Sequence, residues 1–297
     1  MLNRKALERK AGAWAFGWGQ RRYGRMSWEQ AERSGERLGN FIFLVSAKHR
    51  KRARANLAMA MPELSAEERE KIVRGVFRHF GRVVTDFLRS PSRSAEEALA
   101  SVEVEGIEHY EEAKALNKGI LFVTGHIGNW ERGAQWFKLN YEPLHVVARD
   151  ANDPELQALV AKIREQTGAV VLSRGNAMRG ILQVLRANKP ICLLPDQNAE
   201  EVFVPFFGKM AGSVQGPAVI NDRTGAPVLA VYCMWVGPGK FRYIVEPMLQ
   251  RVEGYEDVPE GMTRAIARSL EARIREYPEQ WLWIHDRWRS ARRKGLL

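Results

Sequence analysis

His126 and Glu131 stand five residues apart in HIGNWE, directly after the apolar run GILFVTG. A carboxylate on one ring nitrogen of a histidine fixes its tautomer and leaves the other nitrogen free to accept a proton. A base held that way deprotonates a hydroxyl, and such general acid–base work is worth about 10²–10⁴ in rate. On one helix, residues five apart sit about 140° around from each other and do not meet. Here the histidine precedes the helix, so a chain turning back over its own first turn brings imidazole and carboxylate together. The plainer alternative stays open: a glutamate in a first turn suits the helix dipole, and His126 is then only a turn residue.

Other chemistries lack their motifs. There is no nucleophile elbow, no P-loop and no G-x-G-x-x-G after a strand. Cys192 and Cys233 lie in apolar runs and read as buried reduced thiols, which suits the cytoplasmic side. No spacing matches a zinc ligand set. The nucleophilic hydroxyl must then come from a substrate.

These residues need elements to hold them. From about residue 102 onward, strand-like and helix-like stretches alternate. The strands are SVEVEG, GILFVTG, PLHVVAR, AVVLS, PICLLPD, PVLAVYCMW and FRYIVEP. Helical stretches fall at about 108–117, 129–140, 153–167, 176–188 and 212–224. Continuous apolar strands are expected where helices cover both sheet faces. The fold class is therefore α/β, a central mostly parallel or mixed sheet wrapped by helices. Functional groups in such sheets gather beyond the carboxyl ends of strands, where His126 lies. Asn129 is placed to cap the next helix. Upstream, Ser65 and Glu68 form a capping box for a helix over 65–89 with a wide apolar stripe. The tail reads as one long helix broken at Pro278.

The chain has 297 residues and a formal charge of +11. Residues 1–60 carry 14 Lys/Arg against 4 Glu, so nearly all of the excess sits in the first fifth. Trp14 and Trp18 share a helix face, and the apolar segment 38–47 runs into KHRKRAR (48–54). Aromatics, a short apolar segment and a basic cluster suit an anionic lipid–water interface. They equally suit an ordinary helical layer with a solvated basic face. Nucleic acid is not expected, because no recognition motif accompanies the charge. No stretch reaches the ~18–20 apolar residues of a spanning helix. Residues 1–61 are thus read as an N-terminal amphipathic, basic helical docking region, and 62–297 as the catalytic α/β domain.

The blocks HIGNWE, RANLAMAMPELSAEE (54–68), FRHFGRVVTDFLR (77–89), VVARDANDPEL (146–156), PDQN (195–198), FVPFFGKMAGS (203–213) and YPEQWLWIHDRW (277–288) come in a set order. In that order and spacing the chain resembles the lysophospholipid acyltransferase superfamily. The likeness is to bacterial lipid A acyltransferases of the lauroyl/myristoyl type and to phosphatidylinositol mannoside acyltransferases. The resemblance implies O-acyl transfer from a thioester, acyl carrier protein or acyl-coenzyme A, to a hydroxyl of a lipid or glycolipid such as a lipid A precursor. It implies no cofactor beyond the acyl thioester as co-substrate. The site would be the cytoplasmic face of the inner membrane, with peripheral attachment. On this pattern His126 is the general base and Glu131 its relay partner. Arg149, Asp196, Arg174 and Asn129 are the substrate-binding candidates. Arg149 either holds a phosphate group or pairs with Asp150 or Asp153. Asp196 bonds to the site histidine, bonds to acceptor hydroxyls, or only shapes a turn. Arg174 is a further anion-binding candidate. FVPFFG reads as acyl-groove wall or core. Two features depart from the relatives: no clear membrane-spanning anchor is present, and Ser213, Val214 and Gln215 stand where threonines are common. A non-catalytic lipid- or carrier-binding protein, or a thioesterase-like hydrolase, would share much of the same sequence.

Overall fold

A computed structural model describes residues 4–148, 153–173, 177–255 and 257–297. The strands are β1 (Val102–Glu105), β2 (Ile120–Val123), β3 (Leu144–Ala148), β4 (Ala169–Ser173), β5 (Pro190–Leu193), β6 (Val202–Phe206), β7 (Lys209–Ser213), β8 (Val228–Gly237) and β9 (Lys240–Met248). The helices are α1 (Arg4–Tyr23), α2 (Trp28–Val45), α3 (Ala47–Ala60), α4 (Ala66–Arg89), α5 (Ala95–Ala100) and α6 (Ile107–Ala115). They continue with α7 (Trp130–Asn140), α8 (Pro154–Thr167), α9 (Ala177–Arg186), α10 (Gly216–Thr224), α11 (Val258–Glu276) and α12 (Arg289–Arg293).

Seven strands form one mixed sheet in the order β1-β9-β8-β2-β5-β3-β4. Only the β8–β9 pair is antiparallel among them. All seven are the strands expected from the apolar runs. Because side chains alternate across a strand, β2 feeds both faces. Leu121 and Val123 join a core with α4, α9 and α11, while Ile120 and Phe122 pack with α6 and α7 residues such as Tyr110 and Phe137. Helices cover both faces, which is why the strands read as unbroken apolar runs.

The β6–β7 hairpin forms its own two-stranded sheet and was not expected as strand. Its turn residues Phe207 and Gly208 both have positive φ, 52° and 67°. Phe207 is held there by its backbone N–H, which donates to Glu271 Oε2 at 2.7 Å.

The capping box of α4 is present: Ser65 N–H donates to Glu68 Oε2 at 2.7 Å, and Glu68 N–H to Ser65 Oγ at 3.2 Å. Asp153 caps α8 through the N–H groups of Glu155 and Leu156. α2 runs along α4 at a separation that only glycine permits, since a Cβ on Gly39 would stand 2.2 Å from the Phe77 carbonyl oxygen. α3 is tied to the far end of the chain: buried Asn56 donates to the carbonyls of Trp283 and His285, both at 2.8 Å. Among the described residues, no helix is long and apolar enough to cross a membrane.

Candidate active site

β2 and β5 are parallel neighbours, with Val123 opposite Leu193. His126 lies three residues beyond Val123, and Asp196 three beyond Leu193. Matched register thus delivers both to the same place past the strand ends. His126 Nδ1 lies 2.7 Å from Asp196 Oδ1, and the His126 backbone N–H donates to Asp196 Oδ2 at 2.7 Å. The indole N–H of Trp281 donates to the same Oδ2 at 3.1 Å. With three such partners the carboxylate is fixed, and its side chain is only 2% exposed. The ring orientation follows: Nδ1–H faces Asp196, and Nε2 carries the lone pair.

The backbone around His126 is clamped by the C-terminal segment. Ile127 bridges Trp281, and the N–H of Leu282 donates to the His126 carbonyl at 3.1 Å. Gly128, at φ 60°, passes so close to β8 that a Cβ would meet the Cys233 carbonyl oxygen at 2.2 Å. Behind it, buried His79 contacts the Gly128 carbonyl at 3.0 Å. Burial drives the His79 pKa down to about 3, so this ring is neutral and donates.

Burial works against an imidazolium at His126, but the Asp196 charge and hydrogen bond outweigh it and raise its pKa above 6.5. Burial alone would raise Asp196. The neighbouring His126 and the hydrogen bonds around the carboxylate bring it below the ordinary range instead. Nε2 faces a cavity of about 370 Å³. Its walls are mixed: Ala134, Leu144, Val146, Cys192 and Leu194 give an apolar side, and Glu131, Arg164 and Gln197 a polar one. Gln197 Nε2 sits 3.5 Å from His126 Nε2, and the Trp130 ring packs beside the imidazole at 5.2 Å.

The expected His126–Glu131 pairing is corrected. Glu131 lines the same cavity, but its carboxylate is held by Arg164 of α8, with Nη2 at 2.6 Å and Nε at 3.1 and 3.2 Å, and by the Trp130 indole N–H at 3.1 Å. The histidine's carboxylate is Asp196, one of the roles the sequence left open for it. Glu131 and Arg164 instead fasten α7 to α8 at the cavity wall. Removing either partner strands the other's charge in a partly buried place, at about 1–3 kcal/mol after allowance for its exposure. Glu131→Ala and Arg164→Ala are each expected to lower thermal stability and acyl transfer. The double variant should be little worse than either single one, because one interaction is lost in all three. Melting curves and transfer rates of the three proteins check this, and additive losses would contradict it.

Asn129 stands at the start of α7. It is buried, its Oδ1 accepts the Arg132 N–H at 3.1 Å as the cap of α7, and its Nδ2 donates to Asp86 at 2.8 Å. Both ends of the amide are engaged in structure, one holding the cap of α7 and the other the Asp86 carboxylate. Asp86 in turn pairs with Arg132 at 2.7 Å and with Arg93, building the buried polar post that carries α7. Arg149 and Arg174 lie outside the described residues. Cys192 and Cys233 are free and buried, with thiols pushed up to about 12 by burial. Neither is a nucleophile at neutral pH.

The family model for bacterial lipid A biosynthesis acyltransferases matches residues 6–290. The chain belongs to this family. Among its relatives is the phosphatidylinositol mannoside acyltransferase of Mycolicibacterium smegmatis, 27% identical over 273 residues, covering 88% of each chain. The lipid A palmitoleoyltransferase of Escherichia coli is 26% identical over 261 residues, covering 86% of this chain and 84% of its own. The lipid A lauroyltransferase of Escherichia coli is 26% identical over 263 residues, covering 87% and 85%. As a member of the lipid A biosynthesis acyltransferases, this chain is assigned to acyl transfer. The family matches the resemblance read from the block order.

Proposed function

We propose that this lipid A acyltransferase family member works at a membrane surface and moves a fatty acyl chain from a thioester to a hydroxyl of a glycolipid. The thioester is that of an acyl carrier protein or coenzyme A. One observation carries the reading: an imidazole oriented by a buried carboxylate presents its other nitrogen to a cavity with an apolar side.

In this mechanism the acyl chain lies along the apolar side of this cavity, with its thioester carbonyl at the His126 end. The acceptor hydroxyl approaches Nε2, which takes its proton as the oxygen attacks the carbonyl carbon. Asp196 stabilises the imidazolium as it forms. The tetrahedral intermediate then collapses, the C–S bond breaks, and the imidazolium returns the proton to the departing thiolate. Base and acid are the same residue, so no cofactor enters. Relatives named for lipid A and for phosphatidylinositol mannoside support a glycolipid acceptor.

Thioester consumption measured with and without lipid acceptor tests the reading. Consumption that depends on acceptor and yields an acylated lipid is expected. Rapid release of free fatty acid regardless of acceptor would instead identify a hydrolase using the same base on water.

The membrane contact is assigned to the end of α2 and the start of α3. Phe41, Leu44 and Val45 are 60%, 70% and 63% exposed. Lys48 and Lys51 follow them without an ion pair among the described residues. Trp14 and Trp18 of α1 are also exposed. Apolar side chains for the acyl boundary beside cations for anionic headgroups are the components of interfacial binding. The expected attachment is peripheral, on the cytoplasmic face of the inner membrane. A Leu44→Glu/Val45→Glu protein should bind vesicles of anionic phospholipid at least about tenfold more weakly, since two apolar anchors are lost. Sedimentation with vesicles reads this, and unchanged binding would place the contact elsewhere.

A further inference from the structure

Four arginines are buried among the described residues: Arg89, Arg93, Arg132 and Arg287. The first three each pair with a carboxylate, Glu97 for Arg89 and Asp86 for the other two. Arg287 does not. Its Nη1 donates to the Gly212 carbonyl and its Nη2 to Ser213 Oγ at 2.6 Å. Its guanidinium lies over the Phe206 ring at 5.3 Å, and Nε has no partner. A cation buried among dipoles alone is expensive to keep. The carboxylate that shares its surroundings is Asp196: both line a small cavity of about 20 Å³ together with residues of β6, β7 and α11. Asp196 has the complementary problem. It is buried, and its hydrogen-bonded partner His126 must be uncharged whenever it serves as a base.

We propose that Arg287 is a positioning residue for the base, whose fixed charge balances Asp196 across this small cavity and so limits how far Asp196 favours the protonated imidazole. The balance is a count of buried charge. With Arg287 present, neutral His126, anionic Asp196 and cationic Arg287 sum to zero, and protonating the imidazole leaves an excess positive charge. Without Arg287, neutral His126 and anionic Asp196 leave an excess negative charge, which proton uptake removes. Arg287 therefore opposes the tendency of Asp196 to hold His126 protonated.

The other groups facing the pair do not supply this. Glu131 and Arg164 face His126 across the large cavity and neutralise each other. His285, from the C-terminal segment, accepts the Asn198 N–H at 3.0 Å, and burial pushes its pKa down, so it is neutral. Gln197, Trp130 and Trp281 carry no charge. Tyr232 of β8 is raised by burial and stays protonated. Burial lowers Arg287 itself to about 10, which leaves it charged at neutral pH.

This inference rests on His126 as the base, and the test separates the two. The His126 imidazole is titrated by NMR in the full chain, its resonance assigned by its loss in His126→Asn. In Arg287→Met the His126 pKa is expected to rise by about one unit, while Arg287→Lys keeps it near the wild-type value. Ser213→Asp, which lays a carboxylate on the guanidinium, should raise it as well and serves if Arg287→Met does not fold. The acid limb of kcat/KM for acyl transfer should move with the titration. An unmoved His126 titration in folded Arg287→Met or Ser213→Asp, with only a lower Tm, would reduce Arg287 to a tie between β7 and the C-terminal segment and overturn the proposal. The titration is read without any assay, so it stands or falls separately from the reaction assigned to the site.

Discussion

Acyl transfer by a His126→Asn protein is expected to fall by about 10²–10⁴-fold while the fold is retained, the range that general-base catalysis contributes. The fold should survive because the local backbone is held by other groups: the Ile127–Trp281 bridge, the Leu282 N–H on the His126 carbonyl, and the Gly128 carbonyl on His79. The lost nitrogen is the one facing the cavity, so the loss should fall on kcat rather than on lipid binding. Wild-type activity should also rise with pH through the folded-state pKa of His126, which is above 6.5. The sign follows from the base needing its free form. Stability runs the other way: a raised folded pKa gives stabilisation fully present below the unfolded value and lost as pH rises through the folded one. An enzyme whose activity and stability change in opposite directions over this interval carries that signature. A pH–rate profile and melting temperatures across the same buffers measure both.

Asp196→Asn is expected to cost transfer about as much as loss of the histidine itself. An asparagine at this place keeps the size of the side chain and leaves no charge to stabilise an imidazolium. Its amide also presents a donor as well as an acceptor to a ring nitrogen and a backbone N–H that both need acceptors. The imidazole then turns its wrong tautomer to the substrate, the fault that costs a serine protease about 10⁴ in kcat when its triad aspartate is so replaced. The expected result is a folded protein with transfer down by about 10³-fold or more, and a His126 pKa below the wild-type value because the raising charge is gone. Transfer rates and the His126 NMR titration check the two parts together. A folded Asp196→Asn protein with near wild-type transfer would mean that the carboxylate only anchors the turn after β5.

The strands of the main sheet were legible because burial on both faces leaves apolar runs between polar turns. The helix caps were legible because Ser65 with Glu68, and Asn129 before Trp130, satisfy local donors with local acceptors. The β6–β7 hairpin was not. Its turn puts a phenylalanine rather than asparagine at the first positive-φ position, so the usual Asn-Gly signal is missing. The site was half legible. His126 stands out because it follows a strand directly, but its partner depends on which strand lies beside β2. That neighbour is β5, about seventy residues further on, and no local pattern reveals it. Nearness in sequence pointed to Glu131, whose carboxylate instead meets Arg164, an unmarked position in the helix α8. Asn129 shows the converse: the capping role readable from its position is the one the amide fills, with Asp86 as its second partner.

The most direct measurement supplies an isotope-labelled acyl thioester and a bacterial glycolipid extract to the wild-type and His126→Asn proteins, and follows the products by mass spectrometry. The expected result is a labelled ester on a lipid hydroxyl from the wild type and almost none from the folded variant. Labelled ester formed equally fast by both proteins, or labelled free fatty acid as the only product of the wild type, would contradict a histidine that delivers a lipid alcohol to an activated acyl group.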